Sequence, residues 1–353
     1  MILAGGAGTR FWPASRRALP KHLIPLLGET SLFEATLRRL RELAPPERTW
    51  VVSAQELARP TRAALRGHRG VRLLLEPQAR NTAAAIAWVA ARIEAADPGA
   101  LMAVFPADHH IPAPRAFARS VRAAARAASD GEWLVLVGIE PTRPDTAYGY
   151  LRLGERVRGS AHAVQRFVEK PTASRARRFL RDGHYLWNAG MLVASSRRVL
   201  AEAEAHAPEL WKPLGASLSR IAEGGRVAAA GFARAYRRVR PVSFDYAVLE
   251  RTSRALAVRG RFRWSDLGSW DALEDHLEQR EGNAVAGTPP VALVEASGNV
   301  IWNTTDKAVA LLGVRDLVIV ETRDALLICP KDRAQEVRQV VGRLARDRRQ
   351  KLI

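Results

Sequence analysis

The first ten residues, MILAGGAGTR, constrain this chain most: a short apolar run enters Gly5-Gly6-Ala7-Gly8-Thr9-Arg10. An apolar strand running into a glycine turn is how α/β proteins bring backbone N–H groups onto a phosphate. Glycine is needed there because a Cβ blocks positive φ and the close approach of a ligand. Arg10 adds a planar, permanently charged fork for phosphate oxygens. Eleven residues later, Pro20-Lys21 supplies a second candidate phosphate cation. A glycine turn alone is also compatible with a plain tight turn, and the two basic residues are what favour the anion site.

A chain of 353 residues has room for a large core and two domains. No run approaches the roughly 18–20 apolar residues of a membrane span. The apolar N-terminus is too short for a signal peptide. Cys329 is the only cysteine, so neither an intrachain disulfide nor a cysteine-rich zinc site is expected, which fits a cytoplasmic location. The net charge of +19 raises a nucleic-acid reading, but 49 of the 55 basic residues are Arg spread along the whole chain. They interleave with acids in helix-like stretches such as LFEATLRRLREL (32–43), so a solvated Arg-rich surface is expected, with neither a nucleic-acid nor a membrane partner.

Strand-like and helix-like segments alternate through the first two-thirds. Apolar residues recur at helical spacing over 32–43, 81–95 is Ala-rich and helical, and 117–128 is helical. Residues 50–52, 71–75, 101–105 and 133–139 are short apolar runs. That alternation predicts a mostly parallel sheet covered on both faces, with ligands at the carboxyl ends of strands. After about residue 283 the texture changes: a linker region over Glu281-Gly282-Asn283 and Thr288-Pro289-Pro290 is followed by short strands separated by turn signals, the pattern of a small all-β unit. The tail after Pro330 reads as an amphipathic helix with Val337, Val340, Val341 and Leu344 on one face.

Asp108 ends the apolar strand 101–105, within PADHH. A carboxylate there, facing a phosphate loop, suits Mg²⁺, although a helix-capping Asp reads the same way. Asp266, in WSDLGSW, is either a second Mg²⁺ carboxylate or part of a capped helix start at Asp271. Glu169 and Lys170, in RFVEKP, offer an acceptor for sugar hydroxyls and a phosphate cation. Asn188, in WNAGM, can both donate and accept, and Gly149, in AYGY, leaves room for a ligand at the backbone.

These stretches, in order, resemble the sugar-nucleotide pyrophosphorylases, and among them the mannose-1-phosphate guanylyltransferases. The resemblance is carried by GGAGTRFWPASRRALPKHL (5–23), EPQARNTAAAIA (76–87), FPADHHI (105–111), TAYGYL (146–151), FVEKP (167–171), WNAGML (187–192), PVSFDYAVLE (241–250) and WSDLGSW (264–270). It implies a Rossmann-like nucleotidyltransferase domain with a mixed, mostly parallel sheet over 1–283. A short left-handed β-helix with a C-terminal helix would follow over 284–353. It implies transfer of GMP from GTP to α-D-mannose 1-phosphate, with Mg²⁺, by in-line attack and without a covalent enzyme intermediate. Ala4, Gly5, Gly6, Gly8, Thr9, Arg10, Lys21, Asn81, Thr82, Pro106 and Asp108 would then contact the nucleotide, with Asn81 and Thr82 on the guanosine. Gly149, Glu169, Lys170, Asn188 and Asp266 would hold the sugar phosphate, and Asp108 and Asp266 the metal. Arg10, Lys21, Asp108 and Asp266 would carry catalysis, with Asp245 supporting the pocket.

Two positions depart from the family pattern: His22 stands where Gln is usual and Ala189 where Ser is common. The chain ends soon after the β-helix region, so no isomerase activity is expected, and a homodimer is expected. The competing readings are another hexose-1-phosphate nucleotidyltransferase, using glucose 1-phosphate with ATP, UTP or dTTP, and a non-catalytic nucleotide-binding relative.

Overall fold

The computed structural model describes residues 1–6, 8–287 and 290–353; Ala7 of the glycine turn and Thr288-Pro289 of the expected linker lie outside the described residues. A nine-stranded sheet organises the first 260 residues. Its strands are β1 (Ile2–Ala4), β2 (Trp50–Ala54), β3 (Arg72–Glu76), β4 (Leu101–Pro106), β5 (Leu134–Ile139), β6 (Tyr150–Arg158), β7 (Ala161–Val168), β8 (Tyr185–Ser195) and β9 (Ala255–Arg259). They run in the order β3-β2-β1-β4-β8-β5-β9-β7-β6. The sheet is mixed. β1 to β4 pair in parallel, as do β5 and β9, whereas β8 runs antiparallel to β4, β5 and β6. β6 and β7 form an antiparallel hairpin. That hairpin is hard to read in the sequence because its outer half is solvated, and its apolar periodicity breaks after Leu153.

Both faces of the sheet are covered. Leu134 and Leu136 of β5 point into one core, with the helices Thr82–Ala96 (α3 in chain order), Pro208–Ala222 and Ala229–Arg238. Val135 and Val137, one residue out of phase, point into the other core, with the helices Leu32–Leu40 (α1) and Pro114–Ala128. A strand buried on both faces reads as a continuous apolar run, which is what 134–139 shows. α1 starts where Ser31 accepts from the Glu34 N–H at 3.2 Å, the first half of a capping box. Six of the nine buried residues of α3 are alanine, and the small side chains let two further helices pack closely on it.

A second sheet begins at Glu278–Arg280 and continues through Asn283–Ala286, Val300–Asn303, Leu317–Glu321 and Leu326–Pro330. Its three middle strands are parallel, Ala284 facing Val300 and Val300 facing Val318. A separate two-stranded parallel sheet, Val291–Val294 with Val309–Leu312, pairs Val291 with Val309 at the same spacing as Val300 with Val318. Short parallel strands stacked in this way make a β-helix. Inside it Val285, Ile301 and Ile319 stack, and a buried asparagine ladder joins successive coils. Asn299 donates to Asn283 Oδ1 at 2.7 Å, and its own Oδ1 accepts from the Leu317 N–H at 2.9 Å.

The β-helix shares a core with the first unit. Val300, Trp302, Val318 and Val320 pack with Phe11, Trp12, Leu267 and Trp270, and the C-terminal helix Val337–Arg346 adds Val337. Val341 and Leu344 also face this core, while Val340, expected on the same face, is solvent-exposed. The face follows the i, i+4, i+7 stripe through Val337, which leaves position 340 at its edge. Replacing Asn299 by Ala removes the acceptor of the Leu317 N–H and the donor to the Val314 carbonyl, and leaves Asn283 Oδ1 only the backbone N–H of residue 299. We expect a loss of roughly 2–3 kcal/mol, seen as a lower denaturation midpoint. An unchanged midpoint would contradict the ladder's role.

Candidate active site

Two neighbouring parallel strands deliver the first parts of the site. β1 ends at Ala4 and leads into the glycine turn, and β4 ends at Pro106 and leads to Asp108. Leu3 faces Pro106 in the ladder, and the Ala107 N–H donates to the Leu3 carbonyl at 3.0 Å, so both loops leave the same rim. In the turn Gly6 has φ 94° and Gly8 φ 58°. Gly8 is demanded twice, because a Cβ there would sit 2.5 Å from Lys21 Cβ. Ser15 Oγ donates to the Gly8 carbonyl at 2.7 Å and fixes the turn.

The loop carrying Asp266 comes from far along the chain. Reciprocal backbone hydrogen bonds between His110 and Ser265, 2.9 and 3.1 Å, stitch it to the Asp108 loop. Leu267, the next residue after Asp266, holds a left-handed conformation (φ 45°) with a fully buried side chain. Its carbonyl, and that of Asp266, accept from Lys21 Nζ at 3.1 and 2.8 Å. The same ammonium is 2.6 Å from Asp108 Oδ2. Lys21 thus binds three segments: the glycine turn, the end of β4 and the 264–270 loop.

Around it lies a cavity of about 360 Å³ lined by Gly8, Thr9, Arg10, Lys21, Asp108, His109 and Asp266, among others. This is the lower part of the size range of small-molecule sites. An apolar hollow of about 310 Å³ elsewhere, bordered by Met1, Leu40 and Met102, carries no such convergence of charge. Burial pushes the Asp108 carboxyl up, but Lys21, with His109 and His22, outweighs it and holds the group at about 2. Asp266 is raised by burial against the pull of Lys21. Its Oδ1 accepts from the Tyr148 hydroxyl at 2.7 Å. His109 is kept neutral, its pKa lowered to about 4 chiefly by burial, and its Nδ1 accepts from the Trp264 indole at 3.0 Å.

A second cluster adjoins through Tyr148. Gly149 follows it, and a Cβ at Gly149 would stand 2.5 Å from Glu169 Oε2. The Gly149 carbonyl accepts from the Asn188 N–H at 2.8 Å, and the Tyr148 carbonyl from that of Lys170 at 3.2 Å. Asn188 Nδ2 donates to Asp245 Oδ1 at 2.9 Å, and Lys170 pairs with Glu169. Burial, with Asp245 nearby, raises the Glu169 carboxyl. Asn81 and Thr82 stand apart from the charged cavity. Asn81 caps α3 with φ 65°, and Thr82 Oγ1 accepts from the Phe244 N–H at 2.9 Å, beside Asp245.

Gly8, Thr9, Arg10, Lys21, Asp108 and Asp266 therefore converge on one cavity, and Gly149, Glu169, Lys170, Asn188 and Asp245 on a second, contiguous cluster. His22 and Ala189, the two departures from the family pattern, are both buried, and neither lines the charged cavity. The bond from Tyr148 to Asp266 is a feature that motif reading misses, since the two lie 118 residues apart. Arg338, which also lines the cavity, is equally hidden among the arginines of an amphipathic helix.

Two carboxylates and a glycine turn fit a divalent cation that carries phosphates. Among the described residues no group of three or more His, Cys, Asp or Glu forms a metal cage. Mg²⁺ does not need one, because it binds through one or two carboxylates and completes its shell with phosphate oxygens and water. Asp108 and Asp266 match that donor set.

Comparison with known proteins agrees with the geometry. The nucleotidyl transferase family model matches residues 1–282, and a MannoseP isomerase/GMP-like beta-helix domain model matches 291–344. The chain is 37% identical to the alginate biosynthesis protein AlgA of Pseudomonas aeruginosa, over 97% of this chain and 71% of that protein. It is 36% identical to a mannose-1-phosphate guanylyltransferase of Escherichia coli, over 99% of this chain and 74% of that one. A crystal structure from Thermus thermophilus, described as a mannose-1-phosphate geranyltransferase, superposes with a TM-score of 0.87 at 36% identity, over 98% of both chains. Matched by the nucleotidyl transferase model over most of its length and by such relatives along nearly all of it, this protein belongs to the mannose-1-phosphate guanylyltransferase family of nucleotidyltransferases.

Proposed function

We propose that the chain transfers GMP from GTP to α-D-mannose 1-phosphate, releasing pyrophosphate. The observation that carries this reading is the convergence of Lys21 with Asp108 and the Asp266 loop beside the glycine turn. A phosphate oxygen of the sugar phosphate attacks the α-phosphorus of GTP in line. The new P–O bond forms as the bond to the β-phosphate oxygen breaks, and the electron pair leaves with pyrophosphate. Both substrates are anions, so the work of the site is to orient them and to neutralise charge that moves toward the leaving group.

In this reading the glycine turn and Arg10 hold the triphosphate, and Asn81 and Thr82 hold the guanosine. Glu169 and Asn188 accept and donate to sugar hydroxyls across the space that Gly149 leaves, and Lys170 binds the sugar's phosphate. Asp108 and Asp266 hold Mg²⁺, which when bound supplies positive charge to the phosphate oxygens. Tyr148 holds the Asp266 carboxylate in a single orientation. The low pKa of Asp108 keeps it ionised, as a metal ligand requires. The single cysteine is unpaired, in keeping with reaction in the cytoplasm. Exposed apolar side chains at Val294, Leu312, Leu326 and Ile328 of the β-helix support a homodimer through that unit.

The test is pyrophosphate release with Mg²⁺ across GTP, ATP, UTP and dTTP against mannose, glucose and fructose phosphates. Turnover concentrated on GTP with mannose 1-phosphate is expected. Preference for another pair would overturn the substrate assignment and keep the reaction class. For Asp108→Asn and for Asp266→Asn, each as a folded protein, we expect kcat to fall by about 10²-fold or more, the scale of losing one preorganised electrostatic group. Wild-type turnover in either would remove it from the metal site. Lys21→Ala should lower kcat/KM by roughly 10²-fold or more, because the cavity loses its buried ammonium and Asp108 its partner. An unchanged value would make Lys21 a structural tie only.

A further inference from the structure

The helix Val337–Arg346 belongs in sequence to the C-terminal unit, yet it packs against Thr9–Phe11, the continuation of the glycine turn. Several contacts hold it there. Val337 is buried in the core that contains Phe11, Trp12 and Trp270. The Trp12 indole donates to the Leu352 carbonyl at 2.7 Å, just beyond the helix. On the preceding turn Gln335 donates to Ser269 Oγ at 2.8 Å, and Lys331 pairs with Glu274 at 2.8 Å. One position after the Val337 anchor comes Arg338, which lines the charged cavity together with Thr9, Arg10, Lys21, Asp108 and Asp266.

The charges in this cavity are unequally engaged. Lys21 is spent on Asp108 and two carbonyls. Arg10 makes one long contact, 3.4 Å to the Gly268 carbonyl. Among the described residues the Arg338 side chain makes neither a hydrogen bond nor an ion pair, whereas Arg333 before the helix and Arg343 within it pair with Glu336 and Asp347. Arg10, Lys21 and Arg338 are the three basic Arg and Lys side chains that line the cavity, opposite Asp108 and Asp266. A guanidinium with all its donors free, at the mouth of a phosphate cavity, is suited to bidentate binding of phosphate oxygens.

We propose that Arg338 binds the terminal phosphates of the nucleotide, and then the departing pyrophosphate, so that the C-terminal unit completes the nucleotide site. The assignment rests on the nucleotidyltransferase reading above. It selects the pyrophosphate end because Arg338 sits on the Thr9–Phe11 side of the cavity. The cluster of Gly149, Glu169, Lys170 and Asn188 lies across Asp266, reached through Tyr148. The β-helix is therefore part of the catalytic unit, and its docking onto Phe11 and Trp270 sets where the leaving group is held.

The experiment is calorimetric titration of inorganic pyrophosphate, with Mg²⁺, into the full chain and into Arg338→Ala, Arg338→Lys and Gln339→Ala. Gln339 is exposed on the same turn and serves as the control for a disturbed helix. We expect Arg338→Ala to weaken pyrophosphate binding about tenfold, the scale of one charge-assisted bidentate contact, with Arg338→Lys intermediate and Gln339→Ala unchanged. In turnover assays KM for GTP, and for pyrophosphate in the reverse direction, should rise in Arg338→Ala while KM for the sugar phosphate stays constant. Equal pyrophosphate affinity in the wild type and Arg338→Ala overturns the proposal. So does a defect confined to the sugar phosphate, or an equal loss in Gln339→Ala. Pyrophosphate binding that depends on Arg338 in a protein inactive on every substrate pair would uphold the site and reject the transferase reading. A wild type that binds no pyrophosphate rejects both.

Discussion

The ammonium of Lys21 is the point on which this structure depends. It is buried, 2.6 Å from Asp108, and its remaining donors reach the Asp266 and Leu267 carbonyls. A buried cation must be surrounded in this way, since desolvation outweighs attraction unless its other donors are satisfied. Its own position requires Gly8, whose missing Cβ leaves the space that Lys21 Cβ fills. Loops as far apart as 246 residues are thereby fixed at angstrom distances, and the cavity between them exists only because they are. The strained left-handed backbone of Leu267 belongs to the same arrangement, because it turns the carbonyl onto the ammonium.

Much of this is legible in the chain. The glycine turn, Pro-Lys, PADHH and WSDLGSW each mark a loop, and the carboxyl-end rule for parallel strands predicts that the first and third share a rim. Leu3 facing Pro106 is that rule made explicit. What is not legible depends on antiparallel additions to the sheet. β8 enters between β4 and β5 with the reverse direction, and β6 pairs with it at Tyr150 and Trp187, which carries Tyr148 to Asp266. Nothing in the local pattern of 146–151 states where that strand docks. Val340 illustrates the limit of periodicity alone: spacing predicts the buried face of the helix, but the edge of that face is decided by what it packs on.

The C-terminal unit raises the same point at larger scale. Its strands and turns announce themselves by spacing, and its asparagine ladder satisfies the backbone of each coil from within. Its union with the first unit does not, because Trp302, Val318 and Val337 meet Phe11 and Trp270 only in three dimensions. The consequence is chemical as well as mechanical, since the helix that seals this joint faces the charged cavity.

Charge and position, rather than a protein nucleophile, are what this cavity offers the reaction. Lys21 is held in an ion pair, and His109 has its Nδ1 occupied by Trp264, so neither is arranged as an activated nucleophile with its base. The stereochemical course at phosphorus tests this most directly, using GTP with a single sulfur-labelled diastereomer at the α-phosphate. A single in-line displacement predicts inversion of configuration in the nucleotide-sugar product. Retention would require two displacements through a covalent enzyme intermediate, and would contradict direct transfer between the two bound substrates.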